Sequence, residues 1–158
     1  AEEPIDITDT IDNSIRMLST IARTGQLSVT TDIQANIPML HADHRSIVQI
    51  LNNLLSNAIK FTPPKGDVSV VAKCVDGAIE ISVIDSGIGM SAEDIDRVTQ
   101  PFEQAGSNTT RPNDGTGLGL HLCQQLAELH AGRLVLESAV DKGTRVTVSF
   151  PTARTIAS

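Results

Sequence analysis

The feature that most constrains the fold is a pair of short turns, each lying between two β-rich runs. The first turn, Asp76-Gly77, is a strong β-hairpin signal, and the second contains Asp141-Lys142-Gly143. Strands that cluster in hairpins, rather than alternating with helices, indicate a mostly antiparallel or mixed sheet. The runs are Val68–Val75 with Ala78–Ile84 and Arg133–Ser138 with Thr144–Phe150.

Other segments follow helical spacing, so the sequence predicts an α+β fold: a two-layer α/β sandwich with helices on one face of a mixed, mostly antiparallel sheet. Further short strands are expected at 5–7 and 27–33, and a frayed end at 151–158. Thr8 or Asp9 could cap the first helix, and Asp43 could cap the second. The predicted helices run from Asp9 to Gly25, from Asp43 to just before Pro63, from Ser91 to Val98, and from Gly117 to His130.

Length and charge narrow the class of protein. The chain has 158 residues and a net charge of −7, which suits one acidic domain spanning residues 1–158. This balance, with no Trp and no Tyr, argues against binding to nucleic acid or an anionic membrane. Because the net negative charge repels anions, any bound anion must be held by a local group that overcomes this repulsion. Cys74 and Cys123 form no CxxC pair and are expected to be buried free thiols in a reducing compartment.

A first polar cluster lies on the second predicted helix. Asn53, Asn57 and Lys60 are spaced i, i+4, i+7 and therefore share one helix face. An ordinary solvated face would show the same pattern. The functional interpretation is a site for a hard cation and a polyphosphate, because an amide oxygen suits Mg²⁺ and an ammonium group suits phosphate.

A second cluster, Asp85-Ser86-Gly87-Ile88-Gly89-Met90, directly follows a predicted strand. Its glycines allow positive φ and a close approach of the backbone to a ligand, and Asp85 could accept a hydrogen bond from an amine. A tight turn is the simpler alternative. Gly87, Gly89 and Ala92 also fit GxGxxA, but the strand belongs to a hairpin and a polar loop follows, which disfavours a dinucleotide fold.

A third cluster, Asp114 to Leu120, opens the last predicted helix with alternating glycines. Exposed N–H groups beside a helix N-terminus can bind phosphate oxygens, although close packing would also explain the glycines. No GxxxxGK[ST] motif occurs, so a Walker-type nucleotide site is excluded.

Taken together, the three clusters resemble the N, G1 and G2 boxes of the histidine-kinase catalytic domain. This domain belongs to the GHKL superfamily, or Bergerat fold, which also holds gyrase, Hsp90 and MutL ATPases. The resemblance runs from about Ile5 to Pro151. The matching segments are Asn53–Thr62 for the N box, Asp85–Met90 for G1, Pro101–Gln104 for the F box and Gly115–Leu120 for G2.

The resemblance implies an ATP site with Mg²⁺ as cofactor. It implies that Asn57 coordinates the Mg²⁺ that bridges the ATP phosphates, that Asn53 lies near the same metal, and that Lys60 contacts phosphate. Asn53, Asn57 and Lys60 would thus be the catalytic residues. Phe61 would lie beside the nucleotide, and Asp85 would accept a hydrogen bond from the adenine amino group.

The glycine-rich segments would complete this nucleotide site. Gly87 and Gly89 would let the base approach the backbone, and residues 104–114 would form a lid ordered by nucleotide. Arg111 lies where a lid cation could reach the γ-phosphate. The phosphate-side end of the lid would consist of Gly115, Thr116, Gly117, Leu118 and Gly119.

Asn53 bears on the reaction. The superfamily's hydrolases carry a Glu here that activates water, whereas an amide is a poor general base. Phosphoryl transfer depends mainly on positioning and charge stabilisation, so Asn53 favours a kinase over an ATPase. The alternatives are a GHKL ATPase and a degenerate kinase that uses nucleotide binding as a conformational switch.

No histidine here lies in a motif like that of the family's phosphoacceptor. The resemblance therefore implies a catalytic domain that donates the γ-phosphate to a histidine on separate dimerisation helices of the same kinase, which feeds a response regulator. The isolated domain would be monomeric, the full-length kinase a homodimer, and the location cytoplasmic, as part of a sensor that could be membrane-anchored. His41 and His44 are expected at the surface, and His130 at a helix end, where a cation would suit the dipole.

Overall fold

The larger of the two β-sheets in the fold is mixed and has five strands. The computed structural model describes residues 1–89, 116–151 and 154–156. The large sheet has the order β2-β4-β5-β7-β6, and a smaller sheet has the order β1-β3-β8. The described strands are β1 (Glu2–Ile5), β2 (Ser28–Ile33), β3 (Met39–Asp43), β4 (Asp67–Val75), β5 (Ala78–Asp85), β6 (Arg133–Ser138), β7 (Thr144–Phe150) and β8 (Thr155–Ile156).

Three described helices pack beside the large sheet: α1 (Ile7–Thr24), α2 (His44–Phe61) and α3 (Thr116–Leu129). Helix α2 lies in the middle, because it contacts α1, α3 and β5. Its apolar positions recur at helical spacing and are buried, from Ile47 to Ile59. It ends at Phe61, since Pro63 and Pro64 cannot continue a helix.

The sheet buries one face against these helices. Ile79, Ile81 and Val83 on β5 are almost fully buried, as are the alternate residues of β4 and β7. Their intervening neighbours, such as Glu80 and Thr147, are half-buried. This period of two is what a sheet with a single covered face requires, so the predicted α+β sandwich with helices on one face is confirmed.

Both predicted hairpins are confirmed. Strands β4 and β5 pair antiparallel, as do β6 and β7. Asp76 and Gly77 have φ of 52° and 86°, the left-handed conformations that a two-residue hairpin turn requires. Asp141 and Gly143 likewise have positive φ, 65° and 82°. The sheet is mixed because β2 pairs parallel to β4.

The N-terminal prediction is wrong by several residues. The strand expected at 5–7 is β1, which ends at Ile5, and α1 already begins at Ile7. Its cap is Asp6 rather than Thr8 or Asp9, because Asp6 Oδ1 accepts the backbone N–H of Asp9 at 3.1 Å.

Two strands were not predicted. Strand β3 occupies Met39–Asp43, just before α2, and pairs with β1 and β8. The tail expected to fray instead contains β8, and the Arg154 guanidinium lies 2.7 Å from Glu2 Oε1. This guanidinium holds the pKa of Glu2 below its usual value. Within the described segments, no helix is both long and apolar enough to cross a bilayer.

Candidate functional site

The polar face predicted on α2 lies beside the core. It consists of Asn53, Asn57 and Lys60 and is called the amide stripe below. Asn53 and Asn57 are half-buried, whereas Lys60 is exposed. The Lys60 ammonium group lies 5.4 Å from the centre of the Phe61 ring, a cation–π distance. The stripe is therefore not a uniformly solvated face, since its two amides are partly withdrawn from water while its cation is not.

Asn57 carries a buried donor that lacks an acceptor. Its Nδ2 is shielded from solvent and has no hydrogen-bond partner among the described residues. A buried polar group left unpaired costs about 1–3 kcal/mol, so such groups are uncommon and often mark a ligand's place. A bound anion would supply the missing acceptor oxygen.

Asp85 lies at the end of β5 and is only 9% exposed. Its Oδ1 accepts the backbone N–H of Gly87 at 2.8 Å. Burial raises the pKa of Asp85 above its usual value, and backbone hydrogen bonds from Gly87 and Thr144 oppose that rise. Asp85 is thus a largely desolvated carboxyl group that the adjoining backbone holds in place.

The loop after Asp85 rests on the C-terminal end of α2. The backbone N–H of Ile88 donates to the carbonyl oxygen of Phe61 at 3.3 Å. A Cβ atom on Gly87 would lie only 2.3 Å from the same oxygen, so no larger residue fits here without displacing the loop. The first and second clusters are therefore in direct contact.

The same loop also packs on the β6–β7 turn. Gly89 has φ of 72°, and a Cβ there would lie 1.8 Å from the carbonyl oxygen of Ala139. Asp141 donates its N–H to the carbonyl oxygen of Ile88 at 2.7 Å. Close packing of protein backbone by itself requires glycine at 87 and 89.

Helix α3 packs against the middle of α2. Cys123, on the buried face of α3, donates its S–H to the carbonyl oxygen of Ile50 at 3.8 Å. Thr116, Gly117, Leu118 and Gly119 form the first turn of α3. Gly115 and Arg111 lie outside the described residues, as do the predicted helix at 91–98, the F box and the lid.

The structure joins the first two clusters directly and packs α3, the helix that the third cluster begins, against the same helix α2. The end of α2 at Phe61 contacts the loop that follows Asp85, and its middle at Ile50 contacts α3. From the sequence, each cluster could have been an unrelated surface feature. Only their contact in the folded chain makes a single site geometrically feasible.

The sequence interpretation missed a groove along the first half of α2. It has a volume of about 430 Å³ and adjoins Asn53. Within it, Asn52 carries a buried Oδ1 that has no partner among the described residues. His44, Val48 and Asn52 are spaced i, i+4, i+8, so the sequence alone could have placed them on one face of this helix. The lining residues are His44, Arg45, Val48, Gln49, Asn52 and Asn53.

His130 differs from its predicted role. Its ring is buried, Nε2 accepts the backbone N–H of Asp43 at 3.1 Å, and Nδ1 lies 2.8 Å from the Leu126 carbonyl oxygen. The predicted position is confirmed, since His130 directly follows α3, but its Nε2 accepts a hydrogen bond there, whereas the expected cation would only donate. Cys74 is only half-buried, which also departs from expectation, whereas Cys123 is fully buried.

The side chains at the candidate site suit a metal ion that a bound ligand also coordinates. Among the described residues, no cluster of three or more His, Cys, Asp or Glu side chains could hold an ion. Amide oxygens such as those of Asn53 and Asn57 are hard donors, and Mg²⁺ typically takes few protein ligands beside water and phosphate oxygens. The residues present therefore fit Mg²⁺ that arrives with a polyphosphate.

Comparisons with known proteins agree with this arrangement. Residues 42–154 match the family described as histidine kinase-, DNA gyrase B- and HSP90-like ATPase. Histidine protein kinase DivJ of Caulobacter vibrioides is 40% identical over 146 residues, which cover 92% of this chain and 24% of DivJ.

Solved structures show the same fold. Full-length ShkA in complex with AMPPNP superposes with a TM-score of 0.85 at 26% identity, covering 100% of this chain and 32% of that one. The nucleotide-free catalytic domain of histidine kinase ThkA superposes with a TM-score of 0.83 at 23% identity, covering 96% of each chain.

The chain therefore belongs to the histidine kinase-, DNA gyrase B- and HSP90-like ATPase family. Within that family it is a catalytic and ATP-binding domain of the histidine-kinase type. It spans about a quarter of the length of DivJ, the curated relative described above.

Proposed function

We propose that this domain binds Mg²⁺·ATP and donates the γ-phosphate to a histidine on dimerisation helices of the same kinase, which passes it to a response regulator. One observation supports the proposal: α2 contacts the loop after Asp85 at Phe61 and contacts α3 at Ile50. The proposed base-binding group, the amide stripe and the N-terminal turn of α3 thus belong to elements that pack around one helix.

At the base end, Asp85 accepts a hydrogen bond from the adenine amino group. Guanine offers a carbonyl oxygen at the corresponding position, and two acceptors facing each other repel, so this contact selects adenine. Phe61 lies beside the nucleotide, and the loop containing Gly87 and Gly89 brings the backbone close to the base.

At the phosphate end, Asn57 would hold the metal through its amide oxygen, and its Nδ2, which has no partner among the described residues, would donate to a phosphate oxygen. Bound Mg²⁺ supplies charge neutralisation on the phosphates. Lys60 contacts a phosphate as a point charge. The N-terminal turn of α3, from Thr116 to Gly119, would supply backbone N–H groups to the phosphates, with Gly115 beside it in the sequence, and Arg111 would contact the γ-phosphate.

Asn53 favours transfer to an imidazole over hydrolysis. An amide does not take a proton from water at neutral pH, whereas a neutral imidazole is itself the nucleophile. The domain orients the phosphates but has no general base at position 53, so water is a poor acceptor of the γ-phosphoryl group.

The test mixes this chain with ATP, Mg²⁺ and a separately produced dimerisation segment that carries the acceptor histidine. We expect acid-labile phosphohistidine on the segment and only slow release of phosphate without it. A matched segment whose acceptor histidine is replaced by Gln is the control. ATP binding without phosphohistidine would indicate the degenerate switch, and rapid hydrolysis by the chain alone would indicate an ATPase.

A further inference from the structure

A cavity of about 280 Å³ lies between α1, α2 and β2 and is called the α1–α2 cavity below. Leu55 and Ile59 of α2 line it. Each of them is two residues from Asn57 of the amide stripe, and positions two apart on a helix point about 200° away from each other. The α1–α2 cavity is therefore on the opposite face of α2 from the candidate site, and a molecule in it would leave that site open.

The interior of the α1–α2 cavity is apolar. Leu55 and Ile59 are only 1% and 7% exposed, so they lie at its closed end. An apolar cavity of about half this size stays dry and binds benzene, so the α1–α2 cavity has room for about ten non-hydrogen atoms. The apolar lining includes Ile15, Leu18 and Ala22 of α1, Val29 of β2, and Leu55 and Ile59 of α2.

The opening of the α1–α2 cavity carries a cation. Ser19 and Arg23, one turn apart on α1, also line the cavity, and Arg23 is exposed, so the cavity meets solvent there. Ser19 Oγ donates to the carbonyl oxygen of Arg16 at 2.9 Å. Arg23 forms no ion pair with any residue that the structure describes. Its guanidinium group is therefore the charged group that a ligand meets at the opening.

The charge around this opening is positive, although the chain is acidic. Residues 13–31 contain two arginines and no acid, in a chain with a net charge of −7. Asp12 precedes Arg23 by roughly 16 Å along the helix axis. Asp32 and Asp67 occupy strand positions that point to the other side of the sheet, because side chains alternate along a strand and Val29 faces the cavity. The opening therefore suits an anionic group better than a cationic one.

The C-terminal end of α1 opposes an anion only in part. The last carbonyl groups of a helix carry partial negative charge. Those of Ile21, Ala22 and Arg23 already accept backbone N–H groups from the turn that follows α1, each at 3.0 Å. Their hydrogen bonds offset much of this charge and leave the guanidinium group dominant at the opening.

We propose that the α1–α2 cavity is a second binding site, which takes a medium-chain carboxylate. An alkyl chain of about eight carbons fits the volume, and its transfer from water supplies the affinity. The planar guanidinium group of Arg23 binds the carboxylate, whose two oxygens match its fork of N–H groups. A largely apolar lining with few polar groups is usual in small-molecule sites. Binding here requires no nucleotide.

The test is a calorimetric titration of the chain with sodium octanoate, without nucleotide and below the micelle concentration. Butanoate, which has a shorter chain, and octan-1-ol, which has no charge, are the comparison ligands. Ala22→Leu fills the cavity, and Arg23→Gln removes the cation. The matched controls on the same helix are Met17→Gln, at an exposed apolar residue, and Arg16→Gln, at an arginine outside the cavity lining.

We expect one octanoate site per chain. Butanoate should bind at least about tenfold more weakly, because it buries four fewer methylene groups. Arg23→Gln should weaken octanoate binding about fivefold, as for one exposed charged contact, and leave octan-1-ol binding unchanged. Ala22→Leu should abolish the binding of both ligands. The two control variants should stay within about twofold of the parent chain.

Octanoate binding that survives in Ala22→Leu, or that Met17→Gln weakens as strongly, would place the ligand on the surface of α1 and overturn the proposal. Equal losses of octanoate and octan-1-ol affinity in Arg23→Gln would overturn the carboxylate contact. No octanoate binding, together with a concentration-dependent dimer that Ala22→Leu abolishes, would assign the cavity to a second copy of the chain.

A measurement on the parent chain covers variants that do not fold. Nuclear Overhauser contacts should join the methylene protons of octanoate to the methyl groups of Leu55 and Ile59, and their absence in a saturated sample would refute the site. Because no nucleotide is present in these experiments, failure of the carboxylate site leaves the proposed ATP site intact, and absence of ATP binding leaves the carboxylate site intact.

Discussion

At the scale of single residues, Asp85 combines opposing demands. Its carboxyl group is largely desolvated, which raises its pKa and costs stability when it is charged, yet its proposed role requires a strong acceptor. Groups whose environment disfavours their own charge often belong to functional sites rather than to the core.

Asp85→Asn should separate binding from stability. Loss of the charged acceptor should weaken ATP binding about tenfold or more, since hydrogen bonds to charged groups contribute about 1.5–3 kcal/mol. The free energy of unfolding at pH 7 should be equal to or higher than that of the parent, because a buried charge is removed. Titration calorimetry and urea denaturation measure the two quantities. Asp32→Asn, at an exposed position of β2, is the control and should change neither.

The pH dependence has a definite sign. The pKa of Asp85 is raised in the folded chain, so the folded state takes up a proton at a higher pH than the unfolded chain does. The contribution of Asp85 to stability is therefore most favourable at low pH and is lost as the pH rises from its unfolded pKa through its folded pKa. ATP affinity should show the opposite trend, falling as Asp85 is protonated. Comparison with Asp85→Asn across pH 4–7 isolates both effects, and parallel profiles would contradict them.

At the scale of elements, the hairpins and helices were predictable because their signals are local. Asp76-Gly77 specifies a turn by its backbone conformations, and α2 shows its apolar periodicity within its own sequence. Strand β3 has only five residues and pairs with β1 and β8, so its partners lie far away in the chain. Likewise, the hydrogen bond from Cys123 to the carbonyl oxygen of Ile50 joins residues 73 positions apart, and residue spacing in the sequence gives no sign of it.

One element end carries measurable strain. Ala131 follows α3 with φ of 60°, a left-handed conformation that costs an L-residue about 1–2 kcal/mol. Ala131→Gly should relieve that strain and raise the free energy of unfolding by up to about 1 kcal/mol, after the greater freedom of the unfolded glycine chain is subtracted. Chemical denaturation measures it. Ala35→Gly, in an exposed turn without positive φ, should instead lower stability.

A second element-level contact ties the end of α3 to the start of α2. His130→Leu should leave the Asp43 N–H without its acceptor and lower the free energy of unfolding by about 1–3 kcal/mol. His44→Leu, at an exposed position of α2, is the matched control and should change stability by less than about 0.5 kcal/mol. Equal effects of the two substitutions on thermal unfolding would show that the His130 contact contributes nothing.

At the scale of the whole molecule, an acidic chain with a net charge of −7 is proposed to hold a polyanion. The overall field opposes binding, so local groups must supply it: the unpartnered Asn57 amide, the Lys60 ammonium group and the helix N-terminus of α3. The residues of the proposed site lie on elements from α2 to α3, which meet only in the folded chain. The sequence could therefore indicate its parts, whereas their contact through α2 required the structure.

The most direct test of this account is a titration of the chain with ATP and with GTP, each with and without Mg²⁺, repeated on Asn57→Ala. The account predicts one ATP site per chain, clear preference for ATP over GTP, and an Mg²⁺-dependent gain in affinity that Asn57→Ala abolishes. Equal affinity for the two nucleotides, or an Mg²⁺-dependent gain that survives in Asn57→Ala, would contradict it.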